Sequence, residues 1–258
     1  MMWCQGWRKL GWCGCLLVSL LVDSEAVAGE LPPLIILTEI WPPYVMRDDN
    51  GKLVGADLEL TQIVLAQLGY QTNVRALPWK RVLQEAHLKQ GDAVLGVFFE
   101  PSRQQWLHYP DEPLSRSGEV LFYPADRPVK FEQFSDLKGL RIGIQAGYAY
   151  RPDFLAEEGV IRVAMTGEGK MLKQLHLMMA GRLDGVVLNE RVGHYLLHSQ
   201  GLQGLVRHGT PLLTDDNRNF LAFTRKPGHD QLAIRFSSAL KAFKKTAAYQ
   251  HLLARYHL

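Results

Sequence analysis

The sequence predicts an α/β protein made of two similar units with mainly parallel sheets. Three observations carry that expectation. Short apolar runs rich in Val, Ile, Leu and Phe alternate with longer amphipathic stretches, the pattern of strands and helices. The links between them are short, which favours right-handed crossovers onto a parallel sheet. The alternation then breaks at a polar link over residues 126–136, containing Pro128, and starts again.

The chain opens with Arg8 and Lys9, an apolar run over 10–22 and the tripeptide Ala26-Val27-Ala28 before Gly29. This is the order of a secretory signal peptide, too short in its apolar part to span a bilayer. A signal peptide over 1–28 is expected, and a periplasmic location with it. All three cysteines, Cys4, Cys13 and Cys15, lie inside this leader. The exported part is therefore expected to hold no thiol and no disulfide, leaving its stability to its core. A lipid anchor through Cys13 or Cys15 is the rival reading, but Trp12 and the repeated Cys make a poor attachment site.

Residues 34–38 read as a buried strand, stopped by Trp41-Pro42-Pro43-Tyr44; prolines end pairing and push the aromatics outward. Asp48-Asp49-Asn50-Gly51 is a hairpin-like turn. A helix is expected through Leu68, with Asp57 as its N-cap and Gly69 as its stop. A strand over 70–77, a helix over 79–89 and a strand over 92–98 follow, the last breaking at Glu100-Pro101. Arg103 lies just beyond that strand's C-terminal end, where ligands sit in open α/β sheets. An arginine there can grip a carboxylate with two parallel charge-assisted hydrogen bonds. Pairing with a surface acid such as Asp111 or Glu112 is the structural alternative.

The second unit reads as strands over 119–123, 140–145, 161–165 and 184–188, with helices over about 148–158, 170–180 and 190–199. A polar segment over 212–219 leads to a strand over 220–224, and two amphipathic helices, about 229–244 and 247–256, finish the chain. The net charge of +3 comes without a basic run, which argues against nucleic acid as a partner.

Trp41-Pro42-Pro43-Tyr44, the run from Gly51 to Asp57, Gly91-Asp92-Ala93, Arg103, the run from Leu137 to Gly143, Gly147 and Gly181-Arg182-Leu183-Asp184 occur in an order and spacing that resembles the extracellular solute-binding proteins of family 3, the polar amino-acid class. The resemblance implies a two-lobed periplasmic-binding-protein fold (Venus flytrap, type II) with two interlobe crossovers. Lobe one is implied over 29–116 and 218–258, and lobe two over 117–217. The implied function is capture of a small carboxylate ligand, an amino acid or a related acid, by a monomer that delivers it to an ABC permease or reports it to a membrane sensor.

The resemblance also implies roles. Arg103 matches the arginine that holds the ligand's α-carboxylate, Trp41 an aromatic flanking the ligand, and Glu39 a position near its side chain. Gly96 and Val97 fall on the backbone run that accepts the ligand's ammonium. Gly147, Tyr148 and Ala149 match a turn at a helix N-terminus whose amides face the carboxylate. Asn189 stands where an acid usually takes the ammonium; an amide brings no charge there, and Glu190, one residue on, is the candidate to compensate. An ordinary α-amino acid is thereby weakened as ligand, and an acid lacking the α-ammonium gains ground. Trp79 and Arg81, on a helix start shared with Lys80, are further candidates for the pocket wall and a second cation. Of the alternating Phe98 and Phe99, one is expected in the core and one, taken as Phe98, facing the cleft.

His194 and His198 are four apart on a helix, yet no third metal ligand is evident, so no metal site and no cofactor is expected. Gly167-Glu168-Gly169-Lys170 lacks the spacing of a phosphate loop, and no nucleophile-elbow serine occurs. A dehydratase-like enzyme on the same fold is the alternative, with Glu39 or Glu190 as general acid. It lacks an evident second catalytic group, so binding without catalysis is the reading adopted.

Overall fold

The computed structural model describes residues 32–209, 213–214, 218–256 and 258; the expected signal peptide lies outside the described residues. Strand β1 (Leu34–Thr38) is buried along nearly its whole length, as expected where helices cover both faces of a sheet. The Asp48 turn joins a short hairpin, β2 (Met46–Arg47) and β3 (Leu53–Val54); Asp48 Oδ1 accepts from the Asn50 and Lys52 amides and closes it.

Helix α1 (Ala56–Gln67) corrects the expectation that Asp57 is its cap. Gly55 holds that position at φ +137°, and a Cβ there would lie 2.3 Å from the Tyr44 carbonyl oxygen, so the chain turns into the helix before Asp57. The Asp57 carboxylate is used elsewhere: it accepts from Ser115 Oγ at 3.0 Å and Asn219 Nδ2 at 2.6 Å.

Strand β4 (Thr72–Ala76), helix α2 (Trp79–His87) and strand β5 (Ala93–Phe98) complete the first unit, and β1 pairs in parallel with both β4 and β5. Two short strands, β6 (Leu107–His108) and β7 (Ser115–Arg116), follow.

The chain then leaves to build a second sheet. Strands β8 (Glu119–Pro124), β9 (Arg141–Gln145), β10 (Ile161–Met165), β11 (Gly185–Asn189) and β12 (Val206–Gly209) lie in the order β10-β9-β11-β8-β12. Helices α3 (Pro152–Ala156), α4 (Lys170–Met179) and α5 (Glu190–Ser199) connect them. Strand β13 (Arg218–Thr224) returns to the first sheet, pairing antiparallel with β5, β6 and β7 and giving the order β4-β1-β5-β13-β6. Helices α6 (His229–Phe243) and α7 (Ala247–Arg255) then pack Phe236, Leu240 and Leu252 onto the same core as Leu58, Val64 and Leu65 of α1. The two α/β lobes are thus joined by two crossings of the chain, after β7 and before β13.

Two further expectations are adjusted. The helix read over 148–158 shrinks to the five residues of α3, because Gly147 turns at φ +83° and Arg151, preceding Pro152, is held extended at ψ 134°, as a residue before proline must be. The sheets are parallel only in part: β8 pairs antiparallel with both β11 and β12 in one, and β13 pairs antiparallel with β5, β6 and β7 in the other.

Candidate functional site

The strand ends of the two sheets face each other across a small cavity lined by Thr38, Glu39, Trp41, Trp79, Leu95, Gly96, Phe98, Arg103, Tyr148 and Ala149. The space left for the centre of a water-sized molecule is about 20 Å³, room for roughly one water. The cleft is closed down on its own side chains.

A bulge in β5 shapes one wall. Phe220 pairs with Val97 and Leu221 with Leu95, leaving Gly96 as the extra residue at φ +87°. Without it, Ala93, Leu95 and Val97 would share a face. With it, Ala93 and Leu95 join one core, Val94 and Val97 another, and Phe98 turns to the cleft beside Trp41, ring edge to face at 6.0 Å. Gly96 therefore lines the cavity, whereas the Val97 side chain is core. Bulges beside ligand sites commonly re-aim side chains in this way.

Arg103 sits in the 3-10 turn Pro101–Gln105 that follows β5 and is 4% exposed. Its guanidinium donates to the Phe98 carbonyl at 3.1 Å and, across the cleft, to the Gly147 carbonyl at 3.1 Å. It also pairs with Glu100 at 2.9 Å; neither Asp111 nor Glu112 is its acid. Trp79, the first residue of α2, adds an indole N–H to the same Gly147 carbonyl at 3.0 Å. The Gly147 turn thus presents its carbonyl to Arg103. The Tyr148 amide is occupied by the Gln145 carbonyl, and no helix starts until Pro152.

The opposite end of the cavity is charged. Glu39, just past β1, accepts from the Tyr148 hydroxyl with one oxygen and from the Lys170 ammonium with the other. Lys170 opens α4 and is itself buried, its ammonium 5.2 Å from the Tyr148 ring centre. Burial pushes the Glu39 carboxyl up, and the Lys170 charge, with hydrogen bonds from Lys170 and Tyr148, pulls it back. Behind this pair lies Glu119, the first residue of β8, fully buried and pushed up to about 8 by desolvation and by the charge of Glu39.

Several sequence candidates lie elsewhere. Arg81 is on the exposed face of α2, paired with Glu85 at 2.9 Å. Asn189 ends β11 and caps α5: its Oδ1 accepts from the Val192 amide and from Ser117 Oγ, and its Nδ2 donates to the Ser117 carbonyl. With both ends of the amide engaged, it does not line the cavity. Glu190 faces His194 and His208 and not the cleft.

Sequence reasoning missed Lys170 and Glu119. Lys170 stands at the head of a helix whose buried face is Met171, Gln174, Leu175 and Met178, so a cation opening an apolar face was the available signal. Glu119 was visible as an acid at the start of the apolar run Val120-Leu121-Phe122.

Comparison with known proteins agrees with this architecture. The family model for bacterial extracellular solute-binding proteins, family 3, matches residues 34–258. A probable amino-acid ABC transporter-binding protein of Haemophilus influenzae is 24% identical over 260 residues, covering 95% of both chains. The L-arginine-binding protein of Pseudomonas aeruginosa is 22% identical, covering 96% of both. Among solved structures, an ancestral arginine-binding protein bound to arginine superposes with a TM-score of 0.75 at 20% identity, over 88% of this chain and 99% of that one.

Proposed function

The chain belongs to the bacterial extracellular solute-binding proteins of family 3, and on that premise we propose that it captures a small carboxylate ligand between its lobes and hands it to an ABC permease. The observation that carries this reading is Arg103: a buried guanidinium at a strand end, in the aromatic-lined wall of a cavity to which both sheets contribute. Its present partners, Glu100 and two backbone carbonyls, are replaceable by a ligand carboxylate, which offers the planar fork a bidentate match.

In the proposed cycle the lobes part, the ligand carboxylate takes Arg103 from Glu100 and the Gly147 carbonyl, and closure brings Tyr148 and the Gly147 turn over it. Trp41, Trp79, Phe98 and Tyr148 supply flat walls that exclude water and strengthen every polar contact inside. The closed form is selected because only it lets both lobes touch the ligand. An α-ammonium finds no unpaired acid on the cavity wall, since Glu39, the acid among the lining residues, is tied to Lys170. That favours an acid whose positive group, if it has one, can displace Lys170 from Glu39.

The test is a thermal-shift screen. Arginine and cystine head it, because curated relatives are named for them, followed by other amino acids, oxo acids and dicarboxylates. A true ligand raises the Tm by mass action. Arg103→Ala removes two charge-assisted bonds, about 3 kcal/mol, so calorimetry should read a loss of roughly 100-fold in affinity. Unchanged affinity in that variant overturns the assignment. The enzymatic reading draws on the raised Glu39 and Glu119 carboxyls; incubation with cyclohexadienyl acids followed by NMR decides it, and no turnover is expected.

A further inference from the structure

Away from the cleft, on the second lobe, three side chains with metal-binding atoms converge. Glu190 and His194 lie one turn apart on α5, and His208 comes from β12. One ligand atom from each falls within 4.8 Å of the others. The Nε2 atoms of His194 and His208 face each other 3.1 Å apart. Two imidazole nitrogens bound to one tetrahedral zinc at 2.0–2.1 Å stand about 3.3 Å apart, so the rings already hold the spacing that a shared ion needs.

The framework fixes this arrangement. His208 is directly opposite Phe122 in the β12–β8 pairing, and both imidazoles pack on that ring, at 5.3 and 6.0 Å. Gly193 lets α5 come down on the same ring: a Cβ there would sit 2.1 Å from Phe122 Cζ. His194, the next residue, is thereby aimed at β12 and not along the helix. The His194–His198 pair suggested by the sequence does not form, because His198 turns to Gln203.

We propose that Glu190, His194 and His208 form a binding site for a late first-row divalent cation, of which Zn²⁺ is the type. Two imidazoles and a carboxylate suit zinc and exclude the hard, oxygen-seeking Mg²⁺ and Ca²⁺. Three protein ligands leave the fourth tetrahedral position to water. His194 is exposed, which gives the ion a direct path in. Bound metal would tie the outer strand β12 to α5 and so stabilise this lobe without touching the cleft.

The experiment uses the tag-free chain, stripped with a chelator and titrated with Zn²⁺ near neutral pH. One ion per chain should bind and raise the Tm, and Co²⁺ should give visible bands of tetrahedral intensity. His194→Ala and His208→Ala should each weaken Zn²⁺ roughly 10- to 100-fold, and Glu190→Gln by less. His198→Ala should bind as the unaltered chain does. His194, being exposed, can be removed without disturbing the core, so that variant alone decides the matter if His208→Ala fails to fold. No Zn²⁺ bound by the unaltered chain, equal affinity in His194→Ala, or a loss in His198→Ala as large as in His194→Ala would each overturn the proposal.

Discussion

Glu119 is fully buried, and neither carboxylate oxygen has a hydrogen-bond partner among the described residues. An ionised carboxylate in that place is costly, and its pKa of about 8 against an ordinary 4.5 means the folded chain keeps a proton that the unfolded chain releases. Across that window the native state binds more protons, so stability must fall as pH rises, by up to about 1.4 kcal/mol per pH unit. Asp57, pushed up to about 7 by burial, acts with the same sign over a lower window. Thermal unfolding between pH 5 and 8 should therefore show a falling Tm. Glu119→Gln, which is neutral throughout, should match the unaltered chain near pH 5 and exceed its Tm near pH 8. An equally steep fall in the variant would mean that Glu119 is ionised in the folded chain.

At the scale of elements, most strands and helices were legible because their periodicity is strong: β1 and β10 fall where the apolar runs predicted, and α5 begins and ends as read. What was not legible came from partners distant in sequence. Asp57 looks like a cap by local rules, but Ser115 and Asn219 draw it inward from the two crossings. β12 carries Arg207 and His208 and gave no strand signal; pairing with β8 makes it one. Glu39 was placed near the ligand, yet Lys170, 131 residues later, is the partner that defines it. The bulge at Gly96 is the element on which the cavity wall depends, and it makes a clean test. A Cβ there meets only Trp41 Cε3 at 3.8 Å, an ordinary contact, so Gly96→Ala costs backbone strain and no clash. About 1–2 kcal/mol is expected from the positive φ, a fall in Tm of roughly 2–8 °C. Ligand affinity should fall as well, because relaxing the bulge would swing Phe98 and Arg103 away. Full stability in Gly96→Ala would show that the left-handed turn is not needed there.

For the whole molecule the question is what holds the lobes together. Among the described residues, four polar contacts bridge the lobes at the cavity, Arg103 and Trp79 on the Gly147 carbonyl and Tyr148 and Lys170 on Glu39, apart from the exposed Arg47–Glu168 pair at 3.8 Å outside it. Three are hydrogen bonds to or from uncharged groups, each contributing on the order of 1 kcal/mol, or somewhat more where one partner is charged. The fourth is a buried ion pair, and breaking one by deleting a single partner costs about 3–5 kcal/mol, because the remaining charge is stranded away from water. Lys170→Met does this to Glu39 while keeping the bulk of the side chain. Glu39 can regain water only if the cleft opens, so the variant's population shifts toward the open form even though each lobe keeps its core. Small-angle X-ray scattering should then give a larger radius of gyration for ligand-free Lys170→Met than for the unaltered chain. A ligand from the screen that bridges the lobes through Arg103 should draw the variant back toward the compact value. If the two ligand-free chains scatter alike, the Lys170–Glu39 pair is not what governs closure, and the Arg103–Gly147 contact becomes the element to alter next.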